Sequence, residues 1–236
     1  MQKYILVTGG TKGIGRAIIE KFAAEDFHII TCARSEKDLQ KLKIEIEREY
    51  TFSKVYTQVA DLSKQTEVDA FVKFVLEKKV KIDVLVNNAG IFIPGEIHKE
   101  DEQALKNMIE TNLYSAYFLT KGLVKDMIRR KDGYIFNICS TASLAAYPNG
   151  GSYSISKFAL YGMTKVLREE LKQYGIRVTA VLPGATLTAS WEGVDLPADR
   201  FMKAEDVAIT IYSAWSLSKN SVIEDILIRP QLGDIS

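Results

Sequence analysis

Residues 3–25 read "KYILVTGGTKGIGRAIIEKFAAE" and change character twice. Residues 3–9 are a strand-like apolar run, a glycine-rich turn follows, and residues 14–25 carry apolar side chains at helical spacing. Gly9, Gly13 and Gly15 follow a G-x-x-x-G-x-G spacing, not the G-x-G-x-x-G dinucleotide fingerprint. The physics is shared. A tight turn lets a ligand approach the backbone closely, and the free N–H groups and dipole of the following helix favour a pyrophosphate. Ile14 opens that helix, and Lys12 places a cation inside the turn.

The same alternation continues along the chain. "HIITCA", "KVYTQVA", "IDVLVNN", "YIFNICS", "IRVTAVLPG" and "DILIRP" are further strand candidates, several of them nearly continuous apolar runs. Such runs suit strands buried on both faces of a parallel sheet. Helical segments are predicted over 36–50, 65–78, 101–130 (as two helices), 154–174 and 204–218, with Ser35 and Asp38 resembling a helix-starting cap. The pattern predicts an α/β fold, a doubly wound parallel sheet with helices on both faces. Ligands in such folds sit beyond the carboxyl ends of the strands, so the residues following each strand should line one crevice.

Composition narrows the function classes. The 236 residues are 47% hydrophobic, enough for one sizeable core, and no Pro/Gly/Ser-rich linker or charge block divides them. We therefore expect a single domain over 1–236, with a cofactor half to about residue 135 and a catalytic and lid half beyond it. Lys plus Arg number 31 and Asp plus Glu 30, so charge gives no reason to expect nucleic acid or an anionic membrane as partner. No segment approaches the roughly 20 apolar residues needed to span a bilayer, and the first apolar run is too short for a signal peptide. Cys32 and Cys139 lie in strand-like runs and read as small buried hydrophobes in a reducing compartment. A cytoplasmic location is the expectation, and no metal is called for.

The strand ends carry the chemistry. The second ends in "TCARSE", with Ala33 and then Arg34 where an acid would hold the ribose 2′-hydroxyl of NAD. A guanidinium pairs with a 2′-phosphate, and Lys12 offers a second cation, so NADP(H) is preferred over NAD(H). In "ADLS", Asp61 suits either an adenine amino group or a local cap. "NNAG" ends the fourth strand, its two amides and two small residues letting the backbone pass under a flat ring while side chains hold neighbouring strands. After the fifth strand Ser140 precedes Tyr153 by 13 residues, and Lys157 stands four beyond Tyr153. A free tyrosine titrates near 10. An ammonium about 4 Å away at an effective dielectric of about 20 contributes roughly 4 kcal/mol. That is about three pKa units, enough to bring the phenol towards neutrality. Tyr153 then suits a general acid, with Ser140 holding a carbonyl oxygen.

Together, "TGGTKGIG", "NNAG", the Ser140–Tyr153–Lys157 spacing and "PGATLT" resemble the short-chain dehydrogenase/reductases from Tyr4 to about Thr188. The resemblance implies a single-domain, Rossmann-type seven-stranded parallel sheet with a nicotinamide cofactor across the strand ends. It implies Tyr153 as catalytic acid/base, Ser140 as the group orienting the substrate oxygen, and Lys157 as the residue that lowers the tyrosine's pKa and holds the nicotinamide ribose. Asn112 matches the residue keeping a water in the proton relay; on local grounds it would mark a helix kink. Gly9, Lys12, Gly13, Ile14 and Gly15 match the pyrophosphate turn and Arg34 the 2′-phosphate position. Asp61, Leu62, Asn88, Ala89 and Gly90 match the adenosine and ribose side. Pro183, Gly184, Thr186 and Thr188 match the segment fixing the nicotinamide carboxamide, with Thr186 standing where the family often has an aliphatic residue.

The family's substrate lid would be "ASWEGVDLPADRFMKA", short enough to imply an open pocket for a small carbonyl or alcohol. Trp191, Phe92, Ile93, Leu144, Tyr147 and Trp215 are apolar candidates near it, with core or subunit packing the default reading of each. "TASWEGVD" and "EDILIRP" are similar to sepiapterin reductases and related small carbonyl reductases. On the helix after Tyr153, Ile155, Ala159 and Val166 share one face and Leu160, Met163, Leu167 and Leu171 another. Sheet packing uses one face, so the other implies a subunit contact; the resemblance implies a homotetramer through this helix and the one from Asn112, with a dimer on the same surface as the alternative. The leading reading is an NADPH-dependent carbonyl reductase. A dinucleotide sensor without turnover is the alternative, and it would have no need for all of Asn112, Ser140, Tyr153 and Lys157.

Overall fold

A computed structural model describes residues 2–188 and 196–234. Seven strands form one parallel sheet in the order β3-β2-β1-β4-β5-β6-β7. They are β1 (Lys3–Thr8), β2 (Phe27–Ala33), β3 (Val55–Val59), β4 (Val84–Asn87), β5 (Gly133–Ile138), β6 (Ile176–Pro183) and β7 (Asp225–Ile228). The order reverses between β1 and β4, which opens a crevice above their carboxyl ends.

The apolar runs have the predicted two-sided burial. Ile5 and Val7 of β1 enter one core layer, where α1 (Gly13–Ala23), α2 (Glu36–Glu49) and α7 (Ala204–Ser216) pack. Tyr4 and Leu6 enter the opposite layer, covered by α3 (Gln65–Glu77), α5 (Ser115–Arg130) and the end of α6 (Gly151–Leu171). Side chains alternate across a strand with period two, so one short run feeds both layers. At the start of α2, the Ser35 side chain accepts the Asp38 N–H at 3.2 Å, as the sequence predicts.

Three expectations are corrected. Residues 101–130 do not form two separate helices: α4 (Ala104–Ile109) runs through a π-helical stretch, Glu110–Tyr114, directly into α5. The kink anticipated at Asn112 is this wider turn, which re-aims one side chain without breaking the helix. α6 begins at Gly151, so Tyr153 lies inside its first turn rather than ahead of it. Trp215 is remote from the crevice. Its ring meets Phe27 edge-on at 4.9 Å, with Lys3 Nζ 4.9 Å from its centroid, at the opposite ends of β1 and β2.

On α6, Leu160 and Leu171 are buried while Ile155, Phe158 and Val166 are exposed, and Tyr114 and Tyr117 are exposed on the π-helical stretch and α5. Among the described residues, no helix is long and apolar enough to cross a membrane.

Candidate active site

The glycine turn after β1 has a conformational reason for its composition. Gly9 and Gly13 have φ of +65° and +54°, where a side chain is strained. A Cβ on Gly15 would stand 2.5 Å from both Asn88 Nδ2 and Gly9 O. Lys12, the exposed N-cap residue of α1, gives no side-chain cap, so the first-turn N–H groups face the crevice with their dipole uncancelled. Thr188 closes over the turn, its Cγ2 3.0 Å from where a Gly13 Cβ would be.

Thr8 stitches this turn to the end of β4. Its Oγ1 accepts the N–H groups of Asn88 and Ala89, both at 2.9 Å, while Asn88 Nδ2 donates to Thr8 O at 2.8 Å and Gly9 O at 3.2 Å. The Asn88 amide is therefore spent on bracing the turn. Thr8 escaped the sequence reading, although a polar residue closing an apolar strand run was the available signal. Asn137 below the site escaped it too, whereas Asn87, one of the two amides of "NNAG", holds the neighbouring strand as the sequence predicts. Asn87 Nδ2 donates to Asn137 Oδ1 and Thr120 Oγ1, and Asn137 Nδ2 to Thr164 Oγ1, a buried ladder between β4, β5, α5 and α6.

On the adenosine side, Arg34 is exposed at the end of β2. Burial pushes the Asp61 carboxyl up, but hydrogen bonds from Ser63, with Lys64 and Arg34 nearby, hold it below the usual range. Its Oδ1 accepts both the Ser63 N–H and hydroxyl, the local-turn role among the two weighed for it. Leu62 is buried in the core beside Ile30 and Cys32, so its side chain is not available to a ligand. At the end of β6, Pro183 leads into Gly184, whose N–H donates to Ile228 O at 2.8 Å, and Thr186 Oγ1 donates to Gly184 O at 3.0 Å. Leu187 N–H donates to Met202 O and Met202 N–H to Ala185 O, each at 2.9 Å.

Ser140, Tyr153 and Lys157 converge after β5. Ser140 caps the 3-10 turn Thr141–Ser143, its Oγ accepting the Ala142 N–H at 3.1 Å, which leaves its hydroxyl hydrogen to donate elsewhere. Tyr153 packs against Phe92 edge-on, with ring centroids 4.9 Å apart. Lys157 is 5% exposed, its Nζ donating to Ile138 O at 2.8 Å and standing 5.7 Å from the Tyr153 ring centroid. The expected drop of the phenol towards neutrality does not occur in the protein alone. Burial raises Tyr153 above 10, a Ser140 hydrogen bond opposing it only partly, and burial lowers Lys157 to about 8. In a poorly solvated site each group favours its neutral form, and Lys157 aims at a carbonyl instead of the phenol.

Asn112 is fully buried. Its amide donates to Ile91 O at 3.0 Å and Ser156 Oγ at 2.9 Å and accepts the Ile91 N–H at 2.7 Å. Both amide hydrogens are thus committed to protein partners. Gly90 lies between the two functional groups: a Cβ there would be 3.2 Å from Asn112 Oδ1 and 3.5 Å from Lys157 Nζ. Phe92 therefore faces the tyrosine, and Ile93 follows it on the same loop. Leu144 and Tyr147 are partly exposed, and Tyr147 is pushed up to about 12 by burial and then by nearby Tyr153. Tyr147 also lines an apolar cleft with Ile97, Ile155 and Phe158 on the exposed side of α6. Trp191 lies outside the described residues.

The crevice thus joins an anion-ready turn to a hydroxyl–phenol–ammonium cluster, and comparison with known proteins identifies the family. The profile described as short chain dehydrogenase matches residues 3–197. A sepiapterin reductase of Chlorobaculum tepidum is 33% identical over all of this chain and 99% of its own. An alcohol dehydrogenase of the archaeon Thermococcus sibiricus, complexed with 5-hydroxy-NADP, superposes with a TM-score of 0.92 at 26% identity over the whole of both chains. The L-sorbose reductase of Gluconobacter frateurii, complexed with NADPH and L-sorbose, gives 0.88 at 27% identity, covering 97% of this chain and 95% of that one.

Proposed function

The chain belongs to the short-chain dehydrogenase family, and we propose that within it this protein is an NADPH-dependent reductase of ketones or aldehydes. The observation that carries the reading is the half-buried Tyr153 ring on the first turn of α6, with the buried Lys157 Nζ 5.7 Å from its centroid, in a chain whose first strand ends in a glycine turn suited to a pyrophosphate.

The residues present fit NADPH. Gly9, Gly13 and Gly15, at positions where an added Cβ would meet Ala89, Thr188 or Asn88, would cradle the pyrophosphate together with the backbone of Ile14, while Lys12 and Arg34 would meet the 2′-phosphate. Pro183, Gly184, Thr186 and Thr188 border the nicotinamide. When bound, the cofactor supplies the hydride. Ser140 holds the substrate's carbonyl oxygen, and Tyr153 donates its phenolic proton to that oxygen. The raised pKa keeps Tyr153 loaded with that proton at neutral pH. The buried Lys157 ammonium then stabilises the phenolate until water returns the proton.

The natural substrate is a small carbonyl compound admitted under a short lid, and the full-length likeness to a sepiapterin reductase makes a pterin side-chain ketone the first to try. The exposed apolar face formed by Tyr114, Tyr117, Ile155, Phe158 and Val166 is assigned to a second copy of the chain. The enzyme works in the cytoplasm, consistent with its two free, buried cysteines.

The test is NADPH consumption across aldehydes, α-diketones, cyclic ketones and sepiapterin, with Tyr153→Phe as control. Carbonyl-dependent oxidation by the wild type alone is expected. Equal rates in the Tyr153→Phe variant, or NADPH binding with silence across the panel, would count against the reading.

A further inference from the structure

We infer that Glu100 is a positioning residue for Tyr153, a remote cap that fixes the first turn of α6 against the loop following β4. The inference rests on the reading of Tyr153 as the proton donor.

α6 begins without a cap of its own. Its N-cap residue is Gly150, which has no side chain to accept the first-turn N–H groups. The acceptor comes from elsewhere in the chain. Glu100 Oε1 accepts the Ser152 N–H at 2.9 Å, and Glu100 Oε2 accepts the Ser152 hydroxyl. Ser152 is 3% exposed, and the half-buried Glu100 carboxylate meets it at the positive end of a 21-residue helix. Charge-assisted hydrogen bonds of this kind are about twice as strong as neutral ones, and the helix dipole adds to them.

The backbone around it is cleared to admit the side chain. A Cβ on Gly95 would stand 2.5 Å from Glu100 Cγ, and a Cβ on Gly151 would overlap Glu100 Oε1. Neither glycine has positive φ. Their lack of a side chain is explained by room for this glutamate, not by turn geometry. Gly95 and Gly150 also form a parallel bridge, the Gly95 N–H donating to Asn149 O at 3.0 Å. The loop fastened in this way is the one that presses Phe92 onto the Tyr153 ring. One carboxylate therefore holds the helix turn that carries the phenol and the loop that packs against it, without touching the phenol.

Displacement of a reacting group by about 1 Å costs on the order of 100-fold in rate, so loosening the tether should reduce kcat and spare ground-state binding. We would compare Glu100→Gln and Ser152→Ala with wild type, using the best carbonyl of the panel. Readouts are kcat, KM, NADPH affinity and the ultraviolet titration of Tyr153, obtained by difference against Tyr153→Phe. Both variants are expected to lose roughly 5- to 50-fold in kcat, with KM and NADPH affinity within about twofold. The phenol titration should fall back towards its ordinary value near 10 as water reaches it. Unchanged kcat and an unchanged Tyr153 titration in both variants would overturn the inference, whatever happens to thermal stability. Parallel losses of kcat and NADPH affinity would overturn it too, by showing general damage. If Tyr153→Phe itself turns over like wild type, the acid assignment fails, and the titration shift alone then decides whether Glu100 positions the ring.

Discussion

Lys157 Nζ stands 5.7 Å from the centroid of the Tyr153 ring and gives its hydrogen bond to the Ile138 carbonyl. The two groups face each other across a desolvated space in which both favour the neutral form. Reduction needs the phenol protonated and the ammonium charged, and the two requirements respond differently to pH.

The phenol stays protonated beyond pH 10, whereas the ammonium is lost as pH rises through about 8. In the reductive direction kcat should therefore fall above about pH 8, well before tyrosine ionises. A profile of kcat against pH at saturating NADPH checks this. A plateau extending to pH 10 would remove Lys157 from the charge-stabilising role.

The same burial makes Lys157 a cost to the fold. Its pKa falls from 10.5 to about 8 on folding, so below pH 8 the folded state carries the full penalty of a desolvated charge. That penalty shrinks between about 8 and 10.5 and vanishes above. Lys157→Met should abolish turnover yet stabilise the cofactor-free protein by about 1–2 kcal/mol at pH 7, net of the orphaned Ile138 carbonyl. Denaturant melts at pH 7 and 10.5 should show the gain and then its loss.

Arg34 is exposed and can be exchanged without disturbing the core. Arg34→Asp should weaken NADPH about 10- to 100-fold by replacing an ion pair with a repulsion, and should raise the relative preference for NADH. Ratios of kcat/KM for the two cofactors are the readout, and an unchanged ratio takes Arg34 out of the 2′-phosphate site.

Thr8 Oγ1 is the shared acceptor of two N–H groups at the end of β4. Thr8→Val keeps the shape and orphans both donors. It should cost about 2–4 kcal/mol in chemical denaturation and weaken NADPH binding by letting the glycine turn and the β4 end separate. Wild-type affinity in this variant would show that the turn holds its form without the stitch.

The fold was legible because its determinants are local and periodic. Runs such as residues 4–7 and 84–86 are apolar on both faces, and the helices between them announce themselves by spacing and by a cap such as Ser35. Tyr153, Lys157 and Ser140 were legible as a spacing, but the direction in which Lys157 points was not. That depends on the Ile138 carbonyl, brought near by strand packing 19 residues away in sequence. Glu100 was hidden for the same reason: its partner Ser152 lies 52 residues on. Trp215 has the core packing that is its default reading, and only the order of the strands, which puts it beside Phe27, separates it from the pocket.

The paired backbone of Ala185, Leu187 and Met202 fastens the two ends of the segment between them to each other. Whatever sequence fills that span starts and finishes at the same place, so its length and composition can drift without displacing β6 or α7. Closing a somewhat longer loop on a fixed base costs only a fraction of a kcal/mol. The clamp is in this sense a permanent frame, on which the span between its ends can be rewritten while the strand ends stay where they are.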